Sequence, residues 1–321
     1  MVYVYALCDV FYDSFYLKGI KEVYKSYKFN VNKFPKFKQD TFAAILIEKG
    51  FEKKIIIDSN DGTKYNLEAL EWCDVYGKVN YNSKDIPSEF KHKIIPIGPS
   101  FGIKIWNLFE TLFLAAFNTI RFYKSINNKR TFVANYWRQY NRLRLKCYES
   151  KKSKHNYVFF TSSIWKNESK TNELRAAFIK ACASNDKIEF EGGFAPRNDG
   201  NNLGFDAIVI PERYQFKNYL EKLKQSSFVF NTPAVLLCHG WKLAEYLALG
   251  KAIISTEHSN KLPVELEDYK HVLYANKDNL DEKINLILDN KLMKQELEIN
   301  SKDYFNKILS PSVVVKKIFS V

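Results

Sequence analysis

The 321-residue chain has no CxxC pair, no HxH or HExxH, no DxD triplet and no GxGxxG behind its first strand-like segment. Each absence removes a class of chemistry. The five cysteines (Cys8, Cys73, Cys147, Cys182, Cys238) are an odd number, and several sit in apolar runs such as VLLCHG. Neither a disulfide framework nor a zinc site is expected of them, and a reducing compartment suits them. The histidines (His92, His155, His239, His258, His271) lack ligand spacing, so zinc is not expected from them either. Without DxD no divalent metal is expected to hold a nucleotide diphosphate, and without GxGxxG a nicotinamide dehydrogenase is disfavoured.

Long apolar runs are also missing. Residues 103–120 are interrupted by Asn107, Glu110 and Asn118, which falls short of a clean membrane span. The opening MVYVYALCDVFYD has no basic n-region and reaches Asp9 early, unlike a secretion signal. A cytoplasmic location is therefore the expectation.

Acid is scarce in one place. Residues 121–154 carry eleven Lys or Arg against one acid, Glu149, which is +10 of the chain's net +13. Such a local field draws anions: nucleic acid, an anionic membrane or a phosphorylated substrate. A solvated charged connector is the plainer reading. Over the whole chain the composition is that of a folded protein, 46% apolar with 25 Phe and 20 Tyr, enough rings to fill cores and to reach a cleft or an interface.

The length suits two domains, and strand-like and helix-like pieces alternate throughout. Strands are expected at 2–7, 54–58, 75–79 and 92–97, with a short helix at 66–72. Such alternation argues for a mostly parallel sheet covered by helices. Residues 103–122 form the most apolar helix candidate: Ile105, Leu108, Phe109, Leu112, Phe113, Ala116 and Phe117 recur every three or four residues. Burial of that face in the first core is the expectation, with insertion at a membrane surface as the alternative. A second α/β unit opens at 157–161 and continues with a helix at 171–183, a strand at 188–191 ending in Gly192-Gly193, and further pieces at 207–210, 214–225, 228–230, 241–249, 252–255, 271–274 and 278–288. The expected domains are 1–150 and 151–300, with a helical tail, 301–321, packing back on the first. No fixed-period repeat is present.

The most informative stretch is HGWKLAEYLALGKAIIST, residues 239–256. Gly240 precedes a helix of about two and a half turns, Gly250 is placed to stop it in the left-handed conformation, and a strand follows. Helix-start amides and the aligned peptide dipoles suit a diphosphate, with Lys242 adding charge in the first turn. Glu245 lies about one turn further, where its two acceptor oxygens can take the hydroxyls of a ribose.

On these residues, E245-YLAL-G250-KAIIS, the chain resembles the C-terminal domain of GT-B glycosyltransferases, in particular the bacterial enzymes that build capsule and surface polysaccharide. The resemblance covers about residues 155–290. It implies two Rossmann-like α/β domains facing across a cleft, a donor-ribose carboxylate at Glu245 and a helix-ending turn at Gly250. The chain departs from the pattern at Leu237, where many retaining members carry a second Glu eight positions before the first. His239 or Asn231 is then the candidate to contact the transferred sugar.

Other positions complete the candidate set. Thr161, Ser162 and Ser163 end the first strand of the second unit, and Lys166 follows within reach of a phosphate. Arg213 and Arg197 offer guanidinium forks for a diphosphate. The base that takes the acceptor proton is expected from the first domain, among Asp9, Asp13, Asp58 and Asp61, with Asp13 preferred. The function expected is metal-independent transfer of a hexose-like unit from a nucleotide-sugar co-substrate to a glycan or lipid-linked acceptor, at or near the inner face of a membrane. A basic nucleic-acid-binding protein and a non-catalytic α/β partner protein are the alternatives. No RRM, KH, zinc-finger or helix-turn-helix signature supports the first of these, so no nucleic acid is expected.

Overall fold

The computed structural model describes residues 1–149, 151 and 153–320. The expected junction at residue 150, Lys152 of the basic run and Val321 of the expected tail lie outside the described residues. The chain begins β1 (Val2–Tyr5), α1 (Ser14–Tyr24), β2 (Lys28–Asn30), β3 (Phe42–Glu48), β4 (Phe51–Asp58), α2 (Leu67–Trp72), β5 (Val75–Lys78), β6 (Ile94–Pro96), α3 (Leu108–Arg121) and α4 (Lys129–Tyr140). It continues β7 (Tyr157–Ser163), α5 (Ser169–Ala183), β8 (Glu189–Ala195), α6 (Phe216–Gln225), β9 (Val229–Asn231), α7 (Trp241–Leu249), β10 (Ile253–Ser255), β11 (Leu273–Tyr274), α8 (Leu280–Asp289), α9 (Lys291–Tyr304) and α10 (Pro311–Ser320). These gather into two units: Met1–Cys147 with Lys261–Val264 and the chain from Asn306 onward, and Tyr148–Asn260 with Glu265–Phe305. Both are Rossmann-like α/β folds, the class expected from the sequence.

The first unit holds a six-stranded sheet in the order β2-β1-β3-β4-β5-β6. All pairs are parallel except those of β3, which runs against both β1 and β4. The reason is local: Lys49 and Gly50 have φ of 50° and 84°, the signature of a two-residue hairpin turn whose twist matches its strands. Strand β3 was not foreseen, although an apolar run, a Lys-Gly turn and a second run were there to be read. α10 packs on α1 so closely that a Cβ on Gly19 would lie 2.2 Å from the Pro311 carbonyl oxygen.

Helix α3 corrects the expectation of burial. Its only buried residues are Thr111 and Asn118, and Asn118 donates to the Tyr136 hydroxyl of α4 at 2.9 Å. The narrow polar strip faces the protein and the apolar face points outward. Periodicity identifies a face, but which side meets a neighbour is settled by what that neighbour offers. Among the described residues no helix is long and apolar enough to cross a membrane.

In the second unit β7 pairs with β8, and β9, β10 and β11 form a ladder, all parallel. Ser226 joins the two sets: its hydroxyl accepts from Phe159 N at 2.9 Å and donates to Phe228 O at 2.6 Å. Ser227 N adds a bond to Tyr157 O at 2.7 Å. These bonds set the two hydrogen-bonded sheets side by side with β7 next to β9, so the strands lie in the order β8-β7-β9-β10-β11. Phe178 of α5 stacks on Phe230 of β9 at 4.4 Å, and Phe178 is fully buried, a contribution of about 2–3 kcal/mol. Strand β8 runs through the glycine pair to Ala195, and residues 206–208 form a 3-10 turn with one bridge, Phe194 to Val209, instead of the expected strand.

Candidate functional site

The order β8-β7-β9-β10-β11 reverses direction between β7 and β9. In open parallel sheets the crevice outside the strand ends at such a reversal receives ligands. Two cations line that crevice here. Arg175 of α5, 5% exposed, ties the two strand ends together. Its Nε donates to Thr232 Oγ1 at 2.8 Å, and its two terminal nitrogens donate to Ser163 O and Pro233 O at 3.0 Å each. Burial lowers its pKa to about 10. Arg175 was not foreseen, yet it falls on the spacing of the buried face of α5, with Thr171, Asn172, Phe178, Ile179 and Cys182.

Lys242 is the second cation. Helix α7 opens at Gly240 without a side-chain cap, and one position into it Lys242 reaches across to donate to the Thr161 carbonyl of β7. Its ammonium also lies 4.9 Å from the centre of the Phe160 ring. Burial, reinforced by Arg175 and opposed by Glu245, brings its pKa down to about 7. Gly240 itself has an ordinary extended backbone (φ −77°, ψ 158°), and a Cβ there would make an ordinary contact with Ala234 at 3.4 Å. The fold around it does not call for a glycine. At the other end Gly250 adopts the left-handed conformation (φ 60°) that closes the helix.

Glu245, one turn along, is 4% exposed. It accepts from the Tyr148 hydroxyl at 3.3 Å through Oε1, and its charge raises the pKa of Tyr219 and Tyr246, whose first cause is burial. It lies behind the helix start. The notch in front of that start is lined by Asn231, Thr232, Pro233, His239, Gly240 and His258, among others, and is too narrow for a water-sized sphere. The His239 and His258 rings are 5.3 Å apart, and burial drops the His258 pKa to about 4.

The loop bounding this notch is strained. Leu236 and Leu237 both have left-handed backbones (φ 54° and 57°) and are 62% and 50% exposed. Leucine pays roughly 1–2 kcal/mol for that conformation. The turn is pinned by Leu236 N donating to Glu168 Oε1 at 2.7 Å and by Ala234 N donating to Cys238 O at 2.9 Å. Strain held in place this way concentrates at ligand sites.

The remaining candidates are dispersed. Ser162 is buried in β7 beside the Lys242 anchor, whereas Lys166 is exposed in the loop that follows. Arg213 is exposed and donates to Pro196 O at 2.9 Å, and Arg197 pairs with Asp199 while donating to Ile164 O at 3.1 Å. In the first unit, Asp13 stands at the start of α1, 2% exposed, with Oδ2 lacking a hydrogen-bond partner. Burial, then the charges of Asp9 and Asp40, pushes its pKa well above the carboxylate range. Asp9 caps the turn beside it by accepting from Phe11 N and Tyr12 N at 2.9 and 3.2 Å. Asp58 is committed elsewhere: it binds buried Lys78 at 2.8 Å and the Tyr76 hydroxyl at 2.6 Å, while its other oxygen forms an Asx turn with Asn60. Beside it opens a cavity of about 890 Å³ whose walls include Asp40, Asn60 and Tyr65. Among the described residues no cluster of His, Cys, Asp and Glu is placed to hold a metal ion.

No family model and no curated protein matches the chain. Among solved structures it is similar to the C-terminal domain of a group 1 glycosyl transferase family protein (LpcC) from Francisella tularensis, at 12% identity and TM-score 0.35, over 51% of this chain and 96% of that one. It is also similar to a glycosyltransferase from Rickettsia africae (10% identity, TM-score 0.43, 80% of this chain and 66% of that one). A third is a UDP-GlcNAc 2-epimerase from Neisseria meningitidis bound to UDP-GlcNAc (11% identity, TM-score 0.43, 81% of this chain and 67% of that one). Likenesses this distant do not assign an activity.

Proposed function

We propose that the protein transfers a hexose-like sugar from a nucleotide-diphosphate donor to a hydroxyl of a glycan or lipid-linked acceptor, without a metal ion. The observation that carries this reading is the convergence of the α7 start, Lys242 and Arg175 on the strand ends where the sheet order reverses. Helix-start amides and two cations gathered at such a strand reversal favour an anionic phosphate, which supports the reading. In this reading the helix amides at Gly240 and the Lys242 ammonium take the charge of the departing diphosphate, Glu245 takes the ribose hydroxyls, and His239 faces the transferred sugar. Ser162, Lys166 and Arg213 are secondary phosphate contacts.

In the reaction the acceptor oxygen bonds to the anomeric carbon, the anomeric C–O bond to phosphate breaks, and its electron pair leaves with the diphosphate. The acceptor proton passes to Asp13, the carboxylate that burial and the charges of Asp9 and Asp40 make more basic than an ordinary aspartate.

Calorimetric titration with a panel of nucleoside diphosphates, followed by transfer assays with the matching nucleotide sugars, tests the reading. One diphosphate should bind while its parent nucleoside does not, and Lys242→Met should weaken it. Indifference to all diphosphates would end the proposal.

A further inference from the structure

Helix α3 leaves a large apolar surface uncovered on the first unit. Phe109, Phe113 and Ile120 are 83%, 65% and 78% exposed, and Leu112 and Phe117 add to them. Their spacing places them on one side of the helix. The Phe113 and Phe117 rings stack on each other at 5.6 Å rather than on the protein. At the end of the stripe the Arg121 guanidinium lies 5.8 Å from the Phe117 ring and 5.2 Å from the Phe122 ring.

The stripe runs directly into cationic ground. Phe113 and Leu114 form one wall of a cavity of about 330 Å³ whose other walls include Lys21, Lys25 and Trp106. Lys21 and Trp106 also line a neighbouring cavity of about 370 Å³ that is rimmed by Lys18, Lys104, Arg144 and Lys146. The two acids of this surface are engaged: Glu110 closes the α3 capping box, and Glu22 pairs with Lys18 at 2.8 Å.

We infer that this face of the first unit docks on an anionic bilayer, with the phenylalanines at the headgroup–acyl boundary and the lysines and arginines on lipid phosphates. A phenylalanine stripe edged by cations is what such a surface attracts through both terms. A second copy of the chain is a poorer occupant, because a two-fold pairing would bring together two rims of the same positive sign, each carrying Lys21, Lys25 and Arg121. The inference rests on the first unit alone and needs no donor.

The full chain is sedimented with vesicles of phosphatidylcholine alone and with equimolar phosphatidylglycerol, at low and high salt. Binding is expected only to the anionic vesicles and is expected to fall with salt. Phe109→Ser/Phe113→Ser and Lys21→Gln/Arg144→Gln should each weaken it by about tenfold or more, since both contributions are required for firm attachment. Phe113→Trp, which keeps the surface intact, should show an indole blue shift on adding anionic vesicles, and it decides the matter if the serine variant folds poorly. Equal binding to neutral vesicles, wild-type binding by either variant, an unshifted indole, or a dimer broken by Phe113→Ser in a protein that ignores lipid would each overturn the inference.

Discussion

The Tyr148 hydroxyl donates to Oε1 of Glu245 at 3.3 Å within the second unit, across 97 positions of sequence. Lys302 secures the same spot from α9, donating to the Tyr148 carbonyl at 3.4 Å and to the Ala248 carbonyl. The carboxylate proposed to hold the donor ribose is therefore oriented by a tyrosine supplied from the end of the basic stretch.

Tyr148→Phe should weaken diphosphate binding by about 1 kcal/mol, roughly fivefold, and Glu245→Ala by about 1–3 kcal/mol. Calorimetry on both folded variants checks this. Unchanged affinity for Glu245→Ala would remove that residue from the donor site.

Lys242 predicts proton-coupled binding. Its folded pKa, about 7, lies below the value of about 10.5 for a free lysine, so between those limits the folded state binds fewer protons than the unfolded one and stability rises with pH across that window. A diphosphate beside the amine favours the ammonium, so binding near pH 8 should take up a proton. Binding enthalpies measured in two buffers of different ionisation enthalpy give the proton count, and a count of zero contradicts the placement.

Asp13 predicts the opposite slope. An acid whose folded pKa is raised loses stability as pH climbs from its unfolded pKa to the folded one. Asp13→Asn should raise the urea midpoint at neutral pH, lose that advantage near pH 4, and abolish transfer. A variant that keeps transfer shows that the proton goes elsewhere.

Arg175→Met should destabilise the second unit by about 3 kcal/mol, because Ser163 O, Pro233 O and Thr232 Oγ1 would lose their shared donor. Urea unfolding measures it, and a loss within error would mean that water replaces the guanidinium.

Leu237→Gly should stabilise the fold by about 0.5–1 kcal/mol, since relief of the left-handed strain exceeds the entropy cost of glycine. If the strained turn serves the site, the gain in melting temperature comes with weaker donor binding.

What the sequence determined by itself is local. The alternation of strands and helices set the Rossmann-like class, and Gly240 and Gly250 bracketed α7 at Trp241–Leu249, because caps and left-handed turns depend on residues a few positions apart. Only the tertiary structure decided that Tyr148 meets Glu245, that Arg175 on a buried helix face bridges two strand ends, and that α3 turns its phenylalanines outward. Those outcomes depend on which strands lie side by side and on what already fills each core. Periodicity fixes the side of an element a residue occupies, while its partner arrives from dozens of positions away through the order of the sheet.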